Sequence, residues 1–249
     1  MQEIRSGEQT PIYEVNREKV RNLITHAQSE HRDLLLSESM QLLEHYGIPT
    51  AVGVPAATIE EARFAAEKMG YPVAIKVISE QISHKSDVGG VQLNLRNGPA
   101  VEEAFTDVLH RIHQFYPDVK IDGVLVQPMV TGGQELILGG RQDPNFGPVV
   151  LIGLGGIFVE VLEEVSLRVA PITLKEAYEM IEELRGAPIL KGARGHKPSD
   201  IGAVCEAILR LSQLLIDFPE ISELDINPLR VFQENNGCRA LDARIMIRS

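Results

Sequence analysis

In Tyr71-Pro72-Val73-Ala74-Ile75-Lys76-Val77 one lysine interrupts an otherwise apolar strand. Side chains alternate along a strand, so Lys76 shares a face with Ala74 and Ile78, opposite Val73, Ile75 and Val77. A charge on a buried strand face needs an anionic partner. The fold must therefore bring an anion to this strand, or else leave room for the lysine head to reach water along its own stem.

The segment just downstream, Ser83-His84-Lys85-Ser86-Asp87-Val88-Gly89-Gly90-Val91, suits the same chemistry. Paired glycines let backbone N–H groups approach phosphate oxygens closely, which makes Gly89 and Gly90 candidate phosphate contacts. His84 can accept a phosphoryl group, because neutral imidazole is a nucleophile. The plainer reading is a surface hairpin with a solvated histidine. The spacings of a Walker loop and of a dinucleotide fingerprint are both absent.

A third constellation lies near the chain's end. Leu224-Asp225-Ile226-Asn227-Pro228 enters an expected hairpin and Leu241-Asp242-Ala243-Arg244 leaves it, around Asn235-Asn236-Gly237. A turn of two residues (236–237) or of four (234–237) puts Asn227 and Asp242 on one sheet face. With four residues they are diagonal neighbours, roughly 7–8 Å apart at the backbone. An amide oxygen and a carboxylate there can converge on one Mg²⁺; a polar edge pair is the alternative. Between these constellations the chain is rich in glycine, at Gly132-Gly133-Gln134-Glu135 and at Gly153-Leu154-Gly155-Gly156-Ile157-Phe158-Val159-Glu160. Singly, these glycines read as turns. Lys191, Arg194 and Lys197 form either an anion-facing loop or a solvated one.

The periodicities mix helices and strands without the strict alternation of a doubly wound sheet, which points to an α+β fold in two lobes. Expected strands are Thr50 to Val54, Tyr71 to Ile78, Gln92 to Leu95, Gly123 to Val130, Glu135 to Gly140 and Gly147 to Leu154. Expected helices start at the caps Ser37, Thr58, Thr173 and Ser199 and at Pro99. Residues 1–33 read as a polar extension or linker with one helical stretch, Asn16 to Ser29. Residues 34–249 read as the functional domain, with a lobe boundary near 125–130.

A net charge of -11 argues against a nucleic-acid surface. No segment has the apolar length of a membrane span, and the polar start is no signal peptide. Cys205 and Cys238 have no metal-ligand spacing and make no disulfide framework, which fits a reducing cytoplasm.

From about residue 34 to 247 the chain resembles the ATP-grasp subunit of ADP-forming acyl-CoA synthetases, the acetate–CoA ligases. The pieces that carry the resemblance are Tyr71 to Lys76, His84 to Val91, Asp143-Pro144-Asn145-Phe146-Gly147-Pro148, Gly153 to Glu160, and Leu224 to Leu229. The resemblance implies an ATP-grasp fold with ATP or ADP held between two lobes. Lys76 matches a lysine on the nucleotide phosphates. Val126 to Met129, including Gln127, match a hinge whose backbone contacts adenine. Glu135 matches an acidic residue near the nucleotide or the phosphohistidine, Asn227 and Asp242 match magnesium ligands, and His84 matches a second phosphoryl carrier.

On this resemblance a CoA-binding alpha subunit or domain, with its own phosphohistidine, makes an acyl phosphate and passes its phosphoryl group through His84 to ADP. The chain has no CoA-binding fingerprint of its own, so a hetero-oligomer is implied. The competing readings are a catalytically silent module, as in some protein acetyltransferases, and a succinate-type synthetase subunit, which the His84 loop argues against.

Overall fold

The computed structural model describes residues 10–79, 81–82, 88–155, 165–192 and 197–248. These form two sheets, each with its own hydrophobic core. The smaller lobe runs from β1 (Val54–Ala56) through α3 (Ile59–Met69), β2 (Val73–Ile78), β3 (Val91–Leu95) and α4 (Gly98–Phe115) to β4 (Gly123–Pro128). Its strands are ordered β1-β4-β2-β3. Val73, Ile75 and Val77 pack with Val124 and Val126 under the alanine stripe of α3 and under Val101, Phe105, Val108 and Ile112 of α4. Local rules set these helices: Thr58 Oγ1 accepts from the Glu61 amide, Gly70 ends α3 at φ +86°, and Asn97 caps α4 ahead of Pro99.

The larger lobe is built from both ends of the chain. The helices α1 (Arg17–Ser29) and α2 (Leu36–His45) precede the small lobe. After it come β5 (Gln134–Asp143), β6 (Gly147–Leu154), β7 (Val165–Val169), α5 (Leu174–Glu182), α6 (Ile201–Asp217), β8 (Ile221–Val231), β9 (Cys238–Ala240) and β10 (Ala243–Ile247). The sheet runs β10-β8-β5-β6-β7, with β9 continuing the β10 edge along β8. Leu136, Leu138, Ile152 and Ile226 face α6, whose Ile208, Leu211 and Leu215 fill the core. Among the described residues no helix is long and apolar enough to cross a membrane.

Several expectations need correction. The linker reading of residues 1–33 fails for α1: Val20, Ile24 and Ala27 are fully buried in the large-lobe core. Spaced at intervals of four and three, they form a narrow stripe on a helix that is otherwise mostly polar. Arg17 and Tyr46 both bond Asp217 of α6, at 2.8 and 2.7 Å, which ties the chain start to the core helix. The α2 helix starts at Leu36, so Ser37 is inside it. The Leu35 amide is capped instead by Glu38, which Arg32 holds. Asp200, rather than Ser199, caps α6 by accepting from the Ala203 amide. The alternating β7 was not among the expected strands.

The lysine face of the small-lobe sheet is turned toward the large lobe. Ile78 and Leu125, on that face, belong to the large-lobe core. The two lobes thus touch through apolar contacts beside Lys76. Ile24→Ala should lower stability by about 2–5 kcal/mol in urea denaturation, whereas a residue in a true linker should change it by less than about 0.5 kcal/mol.

Candidate functional site

Strand parity puts Ala74, Lys76 and Ile78 on one face of β2, as expected, and that face closes over the C-terminal hairpin. Lys76 is only 8% exposed. Its Nζ donates to the Leu241 carbonyl at 2.7 Å and to Asp242 Oδ2 at 3.2 Å. The anion that a buried lysine demands thus comes from the other lobe.

The hairpin explains why those two acceptors are available. Its four-residue turn spans 233–236, closed by the Phe232 amide on the Gly237 carbonyl, rather than 234–237. This moves the register by two. Asn227 and Asp242 are therefore directly opposed, with the Asn227 amide donating to the Asp242 carbonyl at 3.2 Å, and are not diagonal neighbours. Next to them the Leu241 amide donates to the Pro228 carbonyl at 3.0 Å. Pro228 has no N–H to return that bond, so the Leu241 carbonyl is free to accept from Lys76. Proline is ordinarily excluded from a central strand; here its missing donor opens the acceptor the lysine uses.

A cavity of about 250 Å³ lies at this junction. Lys76, Gln127, Met129, Glu135, Asn227 and Asp242 all line it, so six of the residues singled out in the sequence converge. Three others do not line it. Val126 is buried in the small-lobe core. Gly89 turns at φ +70° against Arg111 of α4, and the Gly90 carbonyl accepts from the Val77 amide; these glycines shape the turn into β3. The Met129 amide donates to the Pro72 carbonyl at 3.0 Å, so it is engaged in the sheet. His84, Gly156 to Glu160 and Arg194 lie outside the described residues. Lys191 pairs with Glu182 on an exposed face.

Sequence reasoning missed Arg230. It lies opposite Glu135 in the β5–β8 register and forms an ion pair with it inside the cavity. Its Nη1 also donates to the Gly132 carbonyl at 2.9 Å, and its stem passes 3.2 Å from where a Cβ on Gly133 would sit. The only sequence signal was a charge inside an apolar strand two residues after Pro228.

Acidic groups gather at the hairpin end. Burial pushes the Asp225 carboxyl above its ordinary value, nearby Glu223 and Asp242 push it further, and Arg244 opposes them. Crowded, partly desolvated carboxylates beside an amide oxygen form a hard oxygen donor set, which fits a small divalent cation. Among the described residues no group of three or more His, Cys, Asp or Glu side chains could hold a metal alone. A larger cavity of about 530 Å³ opens on the far side of Asp242, but the lysine, amide and glutamate groups converge in the smaller one.

The ATP-grasp domain family matches residues 26–247. The chain is 45% identical over 234 residues to 4-hydroxybutyrate–CoA ligase (ADP-forming) of Nitrosopumilus maritimus, covering 94% of this chain and 34% of that protein. It is 44% identical over 229 residues to acetate–CoA ligase (ADP-forming) I subunit beta of Pyrococcus furiosus, covering 92% and 98%. It thus spans about a third of the first relative and nearly all of the second. Among solved structures, the dinucleotide forming acetyl-coenzyme A synthetase 1 of Ca. Korarchaeum cryptofilum, in complex with coenzyme A, Ca-AMPCP and HgCl⁺, superposes with a TM-score of 0.89 at 39% identity, covering 92% and 99%.

Removing one partner of the lysine contact should hurt more than removing the lysine. Asp242→Ala leaves a buried ammonium with a single acceptor and should cost about 1–3 kcal/mol. Lys76→Met, close to isosteric and apolar, should cost less. Urea denaturation of the two variants checks this; the reverse order would mean that Lys76 is solvated.

Proposed function

The chain belongs to the ATP-grasp family, and from that premise we propose that it is the nucleotide-handling subunit or domain of an ADP-forming acyl-CoA synthetase. With a CoA-binding alpha subunit or domain it completes the conversion of acyl-CoA, ADP and phosphate into acid, ATP and CoA. The observation that carries the reading is the small-lobe Lys76 meeting Asp242 of the large lobe beside Asn227, in a cavity between the lobes.

The arrangement divides the cavity into two ends. Lys76, Asn227 and Asp242 mark the end for phosphates; Gln127, Met129 and Val130 at the hinge mark the end for the base; Glu135 and Arg230 lie on the strands between. Asn227 and Asp242 are the residues that would hold Mg²⁺, which supplies charge neutralisation of the phosphate oxygens. Lys76 contributes a second positive charge, and burial strengthens its interaction with the transferring group.

In the proposed transfer the N–P bond of a phosphohistidine breaks and an O–P bond to the terminal phosphate of ADP forms. The imidazole returns to its neutral form. The protein's task is positioning: phosphoryl transfer needs donor and acceptor in line and the developing charge neutralised. His84 is the carrier we assign on this chain, taking the group from the partner's histidine. The occurrence of Ca-AMPCP in the Korarchaeum complex supports the nucleotide assignment by analogy. The retained lysine, amide and carboxylate favour a working site over a silent module.

Calorimetric titration should show Mg-ADP binding to the isolated chain, weakened when the divalent cation is chelated. Lys76→Met should weaken it by at least about tenfold, the scale of one lost charge-assisted contact. No binding heat under any condition would favour the silent module. His84→Ala should keep nucleotide binding yet lose acid-labile phosphoryl label and partner-dependent ATP synthesis; full synthesis by that variant would refute the relay.

A further inference from the structure

We infer that Arg230 is a positioning residue that holds Glu135 at the cavity wall, a role that rests on the nucleotide reading above. β8 is irregular where it passes β5. Leu136 pairs with Leu229 and Leu138 with Ile226, so Asn227 and Pro228 together stand opposite Ile137. This is a β-bulge, two residues against one. Ile226 and Leu229, three apart, are both in the large-lobe core as a result. In an unbroken strand, residues three apart lie on opposite faces. The same offset brings Asn227 and Arg230, also three apart, to the cavity together.

The guanidinium grips two groups at once. Arg230 is directly opposite Glu135 in the sheet, and its Nη2 donates to Glu135 Oε1. Its Nη1 donates at 2.9 Å to the carbonyl of Gly132, in the segment that links β4 of the small lobe to β5 of the large one. The next residue, Gly133, has φ +75°, and a Cβ there would collide with the Val231 carbonyl oxygen. Glycine thus lets the link lie against β8 within reach of the arginine. Glu135 is fixed through its main chain as well, its carbonyl accepting from the Gly155 amide at 2.7 Å. Its Oε2 has no hydrogen-bond partner among the described residues, and the side chain is 35% exposed. The carboxylate therefore has one oxygen committed and one open, on a residue that lines the cavity.

Two features distinguish this pair from one kept for stability alone. Among the described residues Arg230 Nε is sealed from solvent and has no partner, and a buried donor left unmet is costly. The pair is also half-buried, where desolvation offsets much of the Coulomb gain. What the arginine does provide is a carboxylate that is held in one place and already neutralised. An unpaired glutamate at this wall would repel the phosphates of an entering nucleotide and would be free to turn away. Paired with Arg230, it offers a fixed acceptor at no net charge, so little ordering is left to be done on binding.

The test is a double-mutant cycle in Mg-ADP affinity, read by calorimetric titration. Glu135→Gln and Arg230→Met should each weaken binding by about tenfold, the scale of one held contact. The double variant should also lose only about tenfold, because Arg230 acts through the group already removed. Arg230→Lys keeps the charge but cannot span the carboxylate and the Gly132 carbonyl. It takes the place of Arg230→Met if that variant does not fold: alone it should weaken binding, and added to Glu135→Gln it should weaken it no further. An arginine variant with wild-type affinity would overturn the inference, since a purely structural pair changes stability and leaves affinity alone. So would a loss of about a hundredfold in the double variant, the product of two independent effects. Either result leaves the nucleotide reading standing. If the wild-type chain binds no Mg-ADP, that reading falls and the role of Arg230 with it.

Discussion

Everything at the cavity hangs on one buried ammonium. Lys76 lies on the inner face of a four-stranded sheet, and its two acceptors, Leu241 and Asp242, belong to the other lobe. A charge held out of water requires partners fixed in place. The contact therefore determines where the small-lobe sheet sits over the hairpin, together with the apolar contacts of Ile78 and Leu125. The cavity is the space left between surfaces registered in this way.

The hairpin is shaped to receive the lysine. A strand passing Pro228 with a regular ladder would need a donor that proline lacks, and the Leu241 carbonyl would be orphaned. Lys76 fills that vacancy while Asp242, one residue on, supplies the charge. Asn227 is aligned with Asp242 by its own backbone bond to it. The sequence Asn-Pro is thus two devices in adjacent positions: an amide side chain held opposite a carboxylate, and a missing donor that frees a carbonyl for the lysine.

Much of this was legible before any coordinates. The face of Lys76 followed from alternation alone, and the pairing of Asn227 with Asp242 survived because moving the turn by one residue shifts the register by two and keeps the parity. What misled was the turn itself: Asn235-Asn236-Gly237 suggested a loop ending on Gly237, yet Gly237 pairs with Phe232 and the left-handed residue inside the turn is Asn235. The role of α1 was hidden because three buried residues among many charged ones resemble a solvated helix until α2 and β10 are in place to cover them. The Glu135–Arg230 pair could not be read at all, since strand partners 95 residues apart are assigned only by the sheet register.

Charge then constrains what the cavity accepts. At the hairpin end one ammonium faces Asp242, and burial, with Glu223 and Asp242 nearby, holds the proton more tightly on Asp225. Such an end is not complementary to a bare diphosphate: the lysine is already neutralised and the remaining groups repel the ligand. Between the two ends Arg230 is likewise matched by Glu135. On the proposed reading a polyanion enters only in company with a cation, which shields the carboxylates and frees the lysine for phosphate oxygens. Affinity for the phosphates is then set by the cation.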